Sequence, residues 1–159
     1  MDKSLRISIP RLVEEGRKQF QGEIEPSAWE QPLSEEVRLV GPVRIDLEAT
    51  WKDERLWLKG RAKGDWELQC CRCLARSKSV YDVSLDATFE EDDLPDDVLD
   101  GLEEIRQALL LSVPTQAYCR PDCKGLCPQC GVDRNKIECS CKPTNSFKIT
   151  THKGRKDNA

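Results

Sequence analysis

Nine cysteines stand in this chain of 159 residues, and eight of them fall at spacings that let sulfurs converge on a metal ion. The densest run is residues 119–141, CRPDCKGLCPQCGVDRNKIECSC, with cysteines at 119, 123, 127, 130, 139 and 141. Within it, Cys127-Pro128-Gln129-Cys130-Gly131 has the form of a zinc knuckle. Two intervening residues bring both sulfurs onto one ion, and Gly131 permits the sharp bend that follows. Cys139 and Cys141 complete a four-sulfur set, the eight residues after Cys130 sufficing for a short hairpin. The second element is Cys70-Cys71-Arg72-Cys73, a C-x-x-C pair of Cys70 and Cys73 with Cys71 inside the turn as a spare thiol. Ligand counting groups Cys70 and Cys73 with Cys119 and Cys123, which would tie this turn to the C-terminal segment. Two other partitions stay open: a different division of the six C-terminal thiols, or Cys70 and Cys73 without metal.

Whether such thiols pair or bind metal depends on redox compartment, because disulfides persist only in oxidising surroundings. Residues 1–20 contain no apolar stretch of signal-peptide length, and no segment is apolar enough to cross a bilayer. The expectation is therefore a cytoplasmic protein, off the membrane, with reduced thiols and one or two structural zinc ions. Four thiolates close a zinc site and leave no position for a reactive water, so the metal's binding energy goes into folding. An iron–sulfur cluster also takes four thiolates, but the Cys-Pro-x-Cys-Gly turn suits zinc ribbons better than ferredoxin spacings. Thiol–disulfide chemistry at Cys70 and Cys73 is a further alternative. That chemistry favours a helix N-terminus in an α/β setting, whereas strand patterns flank this motif. The chain has no H-E-x-x-H, no phosphate-binding P-loop and no G-x-S-x-G, and its single histidine, His152, lies in a polar tail. No enzyme and no small-molecule substrate are expected.

The formal net charge of −4 disfavours indiscriminate binding to a polyanion. The charge is uneven, however: residues 90–104 hold nine acids and no base, whereas residues 142–159 hold five Lys/Arg against one Asp. Asp92, Asp93, Asp96 and Asp97 lack the spacing and glycine of a calcium loop, so a solvated acidic loop over 90–100 is expected. Arg72, Lys124, Arg134 and Lys136, beside the cysteines, are the candidate contacts to RNA or a partner protein.

These side chains need a scaffold, and the apolar periodicity describes one. Leu5, Ile7 and Ile9 alternate, and Pro10 then opens a helix or extended arm over RLVEEGRKQF. Residues 22–36 read as a connection. From Val37 the odd positions 39, 43, 45, 47, 49 and 51 are apolar, a half-buried strand broken near Gly41-Pro42. A second run at 56–58, a third with Ala62, Trp66, Leu68 and Cys70, and a fourth from Tyr81 to Phe89 complete an antiparallel sheet. Leu102, Ile105, Ala108 and Leu109 predict a short amphipathic helix ending before Pro114. Hydrophobic residues make up 38% and charged residues 34%, so the apolar supply is modest and metal staples would help. The fold class expected is α+β: an antiparallel β-rich domain with a few helices over 1–114, a zinc-ribbon-like cysteine element over 115–141 packed on it, and a basic, mobile tail over 142–159.

Cys70-x-Arg72-Cys73-Leu74, followed by Cys123-Lys124-Gly125-Leu126-Cys127-Pro128-x-Cys130-Gly131, resembles the YceD family, the large ribosomal RNA subunit accumulation proteins. The likeness runs from about Leu39 to Cys141. It implies a role in ribosome biogenesis, in the processing or accumulation of large-subunit (23S) ribosomal RNA, without catalytic activity. It implies as partners that RNA, a ribosomal protein or an assembly intermediate. It maps the family's cysteine pair onto Cys70 and Cys73, and its second cluster onto Cys119, Cys123, Cys127, Cys130, Cys139 and Cys141. Beyond Cys141 this chain departs from the family's usual aromatic and Leu/Lys-rich ending.

Overall fold

A computed structural model describes residues 5–29, 33–94 and 97–141. Strand β1 (Arg6–Ser8) leads directly into helix α1 (Ile9–Glu15), where Pro10 sits in the first turn and its missing N–H breaks no helical bond. The helix stops at Gly16, whose N–H reaches Leu12 O at 2.7 Å, and the chain reverses into β2 (Arg17–Ile24). The stretch read as a helix or extended arm is thus a helix and then a strand. The presumed connection over 22–36 begins with the end of β2 and contains a 3-10 turn at Pro26–Ala28. Strand β2 was faint in the sequence because it lies at a sheet edge, with only half-buried residues such as Phe20 and Ile24 on its inward side.

The main sheet has the order β2-β3-β4-β5, antiparallel throughout, with β3 at Val37–Lys52, β4 at Arg55–Gln69 and β5 at Arg76–Glu90. The break expected near Gly41-Pro42 is a bulge inside β3. Val40 pairs with Asp65 and Arg44 with Lys63, so residues 41–43 face only Gly64. Two extra residues preserve the side-chain period of two, so Val43, Ile45 and Leu47 point inward like Val37 before them. A bulge also accommodates Pro42, which has no N–H for the ladder.

The second and third apolar runs are a single strand. The gap between them falls at Gly60, and Gly64 leaves a second blank inside the later run; both occupy inward positions where neighbours leave no room for a side chain. A Cβ at Gly60 would lie 2.1 Å from Asp46 O and 2.8 Å from a Leu47 methyl carbon; one at Gly64 would lie 2.6 Å from the Tyr81 hydroxyl. The β3–β4 hairpin closes through Asp53 and Glu54, both at positive φ (54° and 59°), which matches the twist of the flanking strands.

The inner face of the sheet, with Leu47, Leu58, Ala62 and Val83, shares one core with Ile9 and Leu12 of α1 and with Ile105 and Leu109 of helix α2 (Gly101–Ser112). The α2 boundaries and its buried face agree with the periodicity. Asp100 caps it, accepting from Leu102 N at 3.0 Å and Glu103 N at 3.4 Å.

The acidic segment differs from the expected solvated loop. Glu90 ends β5, Glu91–Asp93 forms a 3-10 turn, and strand β6 (Val98–Asp100) pairs antiparallel with β1. Buried Leu94 and Leu99 hold it down, an effect of two apolar residues that the acidic composition obscured. Asp96, one of its acids, and the whole of 142–159, including His152, lie outside the described residues. The protein is therefore α+β: among the described residues it is mostly antiparallel sheet, with two helices and two cysteine clusters drawn together at its C-terminal part.

Candidate metal centres

The first cluster is built where the sheet ends. After Gln69 pairs with Arg76, the chain turns through residues 70–75, with Cys70 N bonded to Ala75 O at 2.8 Å and Leu74 N to Cys70 O at 2.9 Å. This turn points Cys70 and Cys73 at the segment that returns after α2. Cys71 stays exposed and outside the cluster, but its N–H bonds Ala117 O at 2.9 Å and pins that segment in place. The sulfurs of Cys70, Cys73, Cys119 and Cys123 then converge, all within 4.8 Å of one another. Cys70 lies 3.8 Å from Cys123 and Cys73 lies 3.6 Å from Cys119. Zinc–sulfur bonds of about 2.3 Å in a tetrahedron set sulfurs about 3.8 Å apart, so this set fits such an ion.

The second cluster follows three residues later. Cys127, Cys130, Cys139 and Cys141 also lie mutually within 4.8 Å. Its knuckle is visible in the backbone: Gly131 N bonds Cys127 O at 2.9 Å and Cys127 N bonds Val132 O at 2.8 Å, while Leu126 and Asp133 form an antiparallel bridge. Cys127 is buried and Cys130 exposed, so this centre lies nearer to solvent than the first. All nine cysteines are free thiols.

Electrostatics favour a cation in both places. In the first cluster burial pushes the Cys70 thiol up, but backbone N–H groups of Cys119, Cys73 and Arg72 outweigh it and hold it at about 6. The neighbouring Cys73 sulfur and burial push Cys119 up to about 12. The second cluster repeats the contrast. Backbone N–H groups of Cys130 and Gln129 hold Cys127 at about 6 against burial, while the Cys130 sulfur and burial push Cys141 up to about 12. Each cluster thus stabilises some thiolates and opposes the rest, because negative sulfurs this close repel. A divalent ion at the centre removes that repulsion and lets all four ionise.

The four basic candidates surround these clusters in different states. Arg72 is partly committed to structure: its guanidinium donates to Cys123 O at 3.0 Å and lies 4.5 Å from the centre of the Tyr118 ring. Its carbonyl accepts from Leu126 N at 3.0 Å. Gly125 passes close beneath it at φ 72°, where a Cβ would come within 2.9 Å of Arg72 O. Lys124 and Arg134 have exposed side chains, and Lys136 lies 3.9 Å from Asp133. Two residues that sequence reasoning missed complete the site. Asn135 donates from Nδ2 to Cys123 Sγ at 3.3 Å, and Asp133 accepts from Asn135 N at 3.0 Å. Asp and Asn two apart are a turn signal in any sequence, but nothing in that spacing aims an amide at a sulfur twelve residues earlier.

Residues 58–149, which contain both clusters, match the family described as Large ribosomal RNA subunit accumulation protein YceD. The chain belongs to the YceD family. An uncharacterised protein of Mycobacterium tuberculosis is 33% identical over 102 residues, covering 55% of this chain and 49% of that protein. A Mycobacterium leprae protein, also uncharacterised, is 27% identical over 105 residues, covering 57% and 48%. A third relative is the chloroplastic Large ribosomal RNA subunit accumulation protein YCED homolog 1 of Zea mays, 26% identical over 155 residues, covering 71% of this chain and 53% of the maize protein. The YceD chain described here thus spans about half the length of these curated relatives. No solved structure gives a significant match. Among the described residues no helix is long and apolar enough to cross a membrane.

Proposed function

We propose that this YceD-family chain is a non-enzymatic cytoplasmic factor in large-subunit ribosome biogenesis, supporting the processing or accumulation of 23S ribosomal RNA, with one structural zinc ion in each cysteine cluster. The observation that carries the reading is the convergence of eight sulfurs into two sets of four inside the segment that matches the family. Cys70, Cys73, Cys119 and Cys123 hold one ion; Cys127, Cys130, Cys139 and Cys141 hold the other. Zinc supplies charge compensation and folding energy there, with all four positions taken by thiolate. The four-sulfur grouping favours this over thiol–disulfide exchange, since Cys70 and Cys73 each have a close sulfur neighbour from the C-terminal segment.

Lys124, Arg134 and Lys136, with the free edge of Arg72, form the surface that meets RNA phosphates. A second reading has one observation in its favour. Five acids, Asp53, Glu54, Glu90, Glu91 and Asp92, line a common surface hollow at the opposite end of the sheet with Trp57 and a single base, Arg55, which pairs with Glu90 at 2.8 Å; the excess of negative charge would attract a basic ribosomal protein and repel RNA.

Elemental mass spectrometry with a thiol count tests the metal, and close to two zinc ions per chain is the expected result. Iron in place of zinc, or no metal in folded reduced protein, overturns it. Binding to large-subunit ribosomal RNA and to isolated ribosomal proteins across a salt series tests the partner. A steep salt slope with naked RNA, weakened by Lys124→Ala and Arg134→Ala at unchanged zinc content, supports the RNA contact. Binding to ribosomal proteins alone transfers the role to the acidic end.

A further inference from the structure

Asn135 belongs by sequence to one cluster and by contact to the other. It lies between Cys130 and Cys139, so closure of the second cluster determines where it sits. Its side chain, however, serves the first. Nδ2 donates to Cys123 Sγ at 3.3 Å, and Oδ1 accepts the backbone N–H of Lys124 at 2.8 Å. Asp133 fixes its orientation, with Oδ1 accepting from Asn135 Nδ2 at 2.7 Å and from Asn135 N at 3.0 Å. The amide cannot be turned over without facing its oxygen to the Asp133 carboxylate and its NH2 group to the Lys124 N–H. Both hydrogens of Nδ2 therefore have assigned acceptors, one of them a candidate metal ligand.

The backbone reinforces this connection. Three residues join Cys123 to Cys127, and each is bonded: Lys124 N to Asn135 Oδ1 at 2.8 Å, Gly125 O to Arg134 N at 3.0 Å and Leu126 N to Arg72 O at 3.0 Å. Two of those three bonds come from the 131–138 stretch of the second cluster, and the third comes from the turn of the first. A shift in one cluster is therefore carried to the other through a short, bonded strip.

We propose that Asn135 is a positioning residue through which the C-terminal cluster sets the metal affinity of the cluster at the sheet end. Closing Cys127, Cys130, Cys139 and Cys141 on an ion places the Asn135 amide against Cys123, and the N–H···S bond stabilises and orients that thiolate for the first ion. Partners of metal ligands typically change affinity by about 10–100-fold. Linkage makes the effect mutual, so filling the first site also tightens the second. The inference rests on the reading that both clusters bind metal.

The test is a cobalt(II) titration of the metal-free full chain against a chromophoric chelator, following the sulfur-to-cobalt charge-transfer band. The Cys70→Ser/Cys73→Ser variant isolates the second site. Asn135→Ala, and Asn135→Asp, which retains an acceptor for Lys124 N but has no donor for sulfur, should both lower first-site affinity about 10–100-fold. Both should move the first-site band to lower energy, because an unbonded thiolate gives up charge more readily. Neither should change the second site in the Cys70→Ser/Cys73→Ser background. Cys139→Ser/Cys141→Ser should weaken the first site by a similar factor, and adding Asn135→Asp to it should weaken it no further. Equal first-site affinity in all these proteins overturns the proposal, as does an Asn135 variant that weakens the isolated second site as much as the first. A wild-type chain that binds no cobalt overturns the metal reading itself.

Discussion

Tyr81 illustrates how one buried side chain makes the sheet sensitive to alkali. Its ring lies 4.8 Å from that of Trp66, on the inward face of β5. Burial and the Asp65 carboxylate push its phenol up to about 12, with Arg44 opposing. The fold therefore favours the neutral phenol. Its stabilising contribution is complete below the unfolded value of about 10 and is lost as pH rises through about 12. Tyr81→Phe cannot ionise there, so between those limits it should lose less stability than wild type, by up to about 2 kcal/mol. Urea unfolding at a series of pH values checks this, and identical slopes for the two proteins would remove Tyr81 as the cause. Arg72 poses a different problem, because the guanidinium that could meet phosphate also bonds Cys123 O. Arg72→Ala should lower stability by about 1 kcal/mol even without RNA, measured by thermal denaturation at constant metal content. Lys124 and Arg134 are therefore the cleaner probes of RNA contact.

At the scale of elements, the continuity of β4 matters most, since this strand delivers Cys70 to the first cluster. Gly60 lets it pass close to β3. Alanine there would drive a Cβ into Asp46 O at 2.1 Å, against backbone that cannot rotate away. Gly60→Ala should cost about 3 kcal/mol or more and lower the melting temperature sharply. Alanine at Gly41, which has open space but a φ of 75°, should cost only about 1 kcal/mol. Equal melting temperatures for the two variants would contradict the close approach of β3 and β4 at Gly60. Strand alternation was readable in β3 and in β5 from Tyr81 onward because there apolar side chains turn inward at alternate positions, interrupted in β3 only at the bulge. What was unreadable is that the two runs of β4 are one strand, because the inward position between them is Gly60, whose reason for being there is the neighbouring β3.

Across the whole molecule, stabilisation is divided unevenly. The sheet, α1 and α2 share one apolar core, whereas among the described residues the cysteine end has a separate small cluster of Cys70, Cys73 and Cys123 with Cys119 and Leu126 against it. Strand β4 has 15 residues, roughly 50 Å of extended chain, between the acidic hairpin end and the cysteine turn. The two ends can therefore meet different partners and lose structure separately. Removing metal with a chelator under reducing conditions should raise amide exchange over residues 115–141 while β3, β4 and β5 keep their protection. Hydrogen exchange by mass spectrometry reads both regions at once. Simultaneous loss of protection in the sheet would show that the metal end stabilises the entire fold.

The sequence by itself determined that β3, β5 and the two halves of β4 are strands and that α2 is a helix, because their periodicities follow from which side chains must leave water, whereas the edge strand β2 left too little of that pattern. It also determined the knuckle at Cys127 and Cys130, a local geometry fixed by two intervening residues and a glycine. Family membership was legible from the two cysteine motifs together. Only the tertiary structure decided that Cys70 and Cys73 meet Cys119 and Cys123, since that grouping depends on α2 returning the chain to the end of β4. Only it placed Asn135 against Cys123, and only it tied down the acidic segment through Leu94, Leu99 and the pairing of β6 with β1. In each case the deciding partner is remote in sequence or chosen by the fold, so no local pattern can encode it.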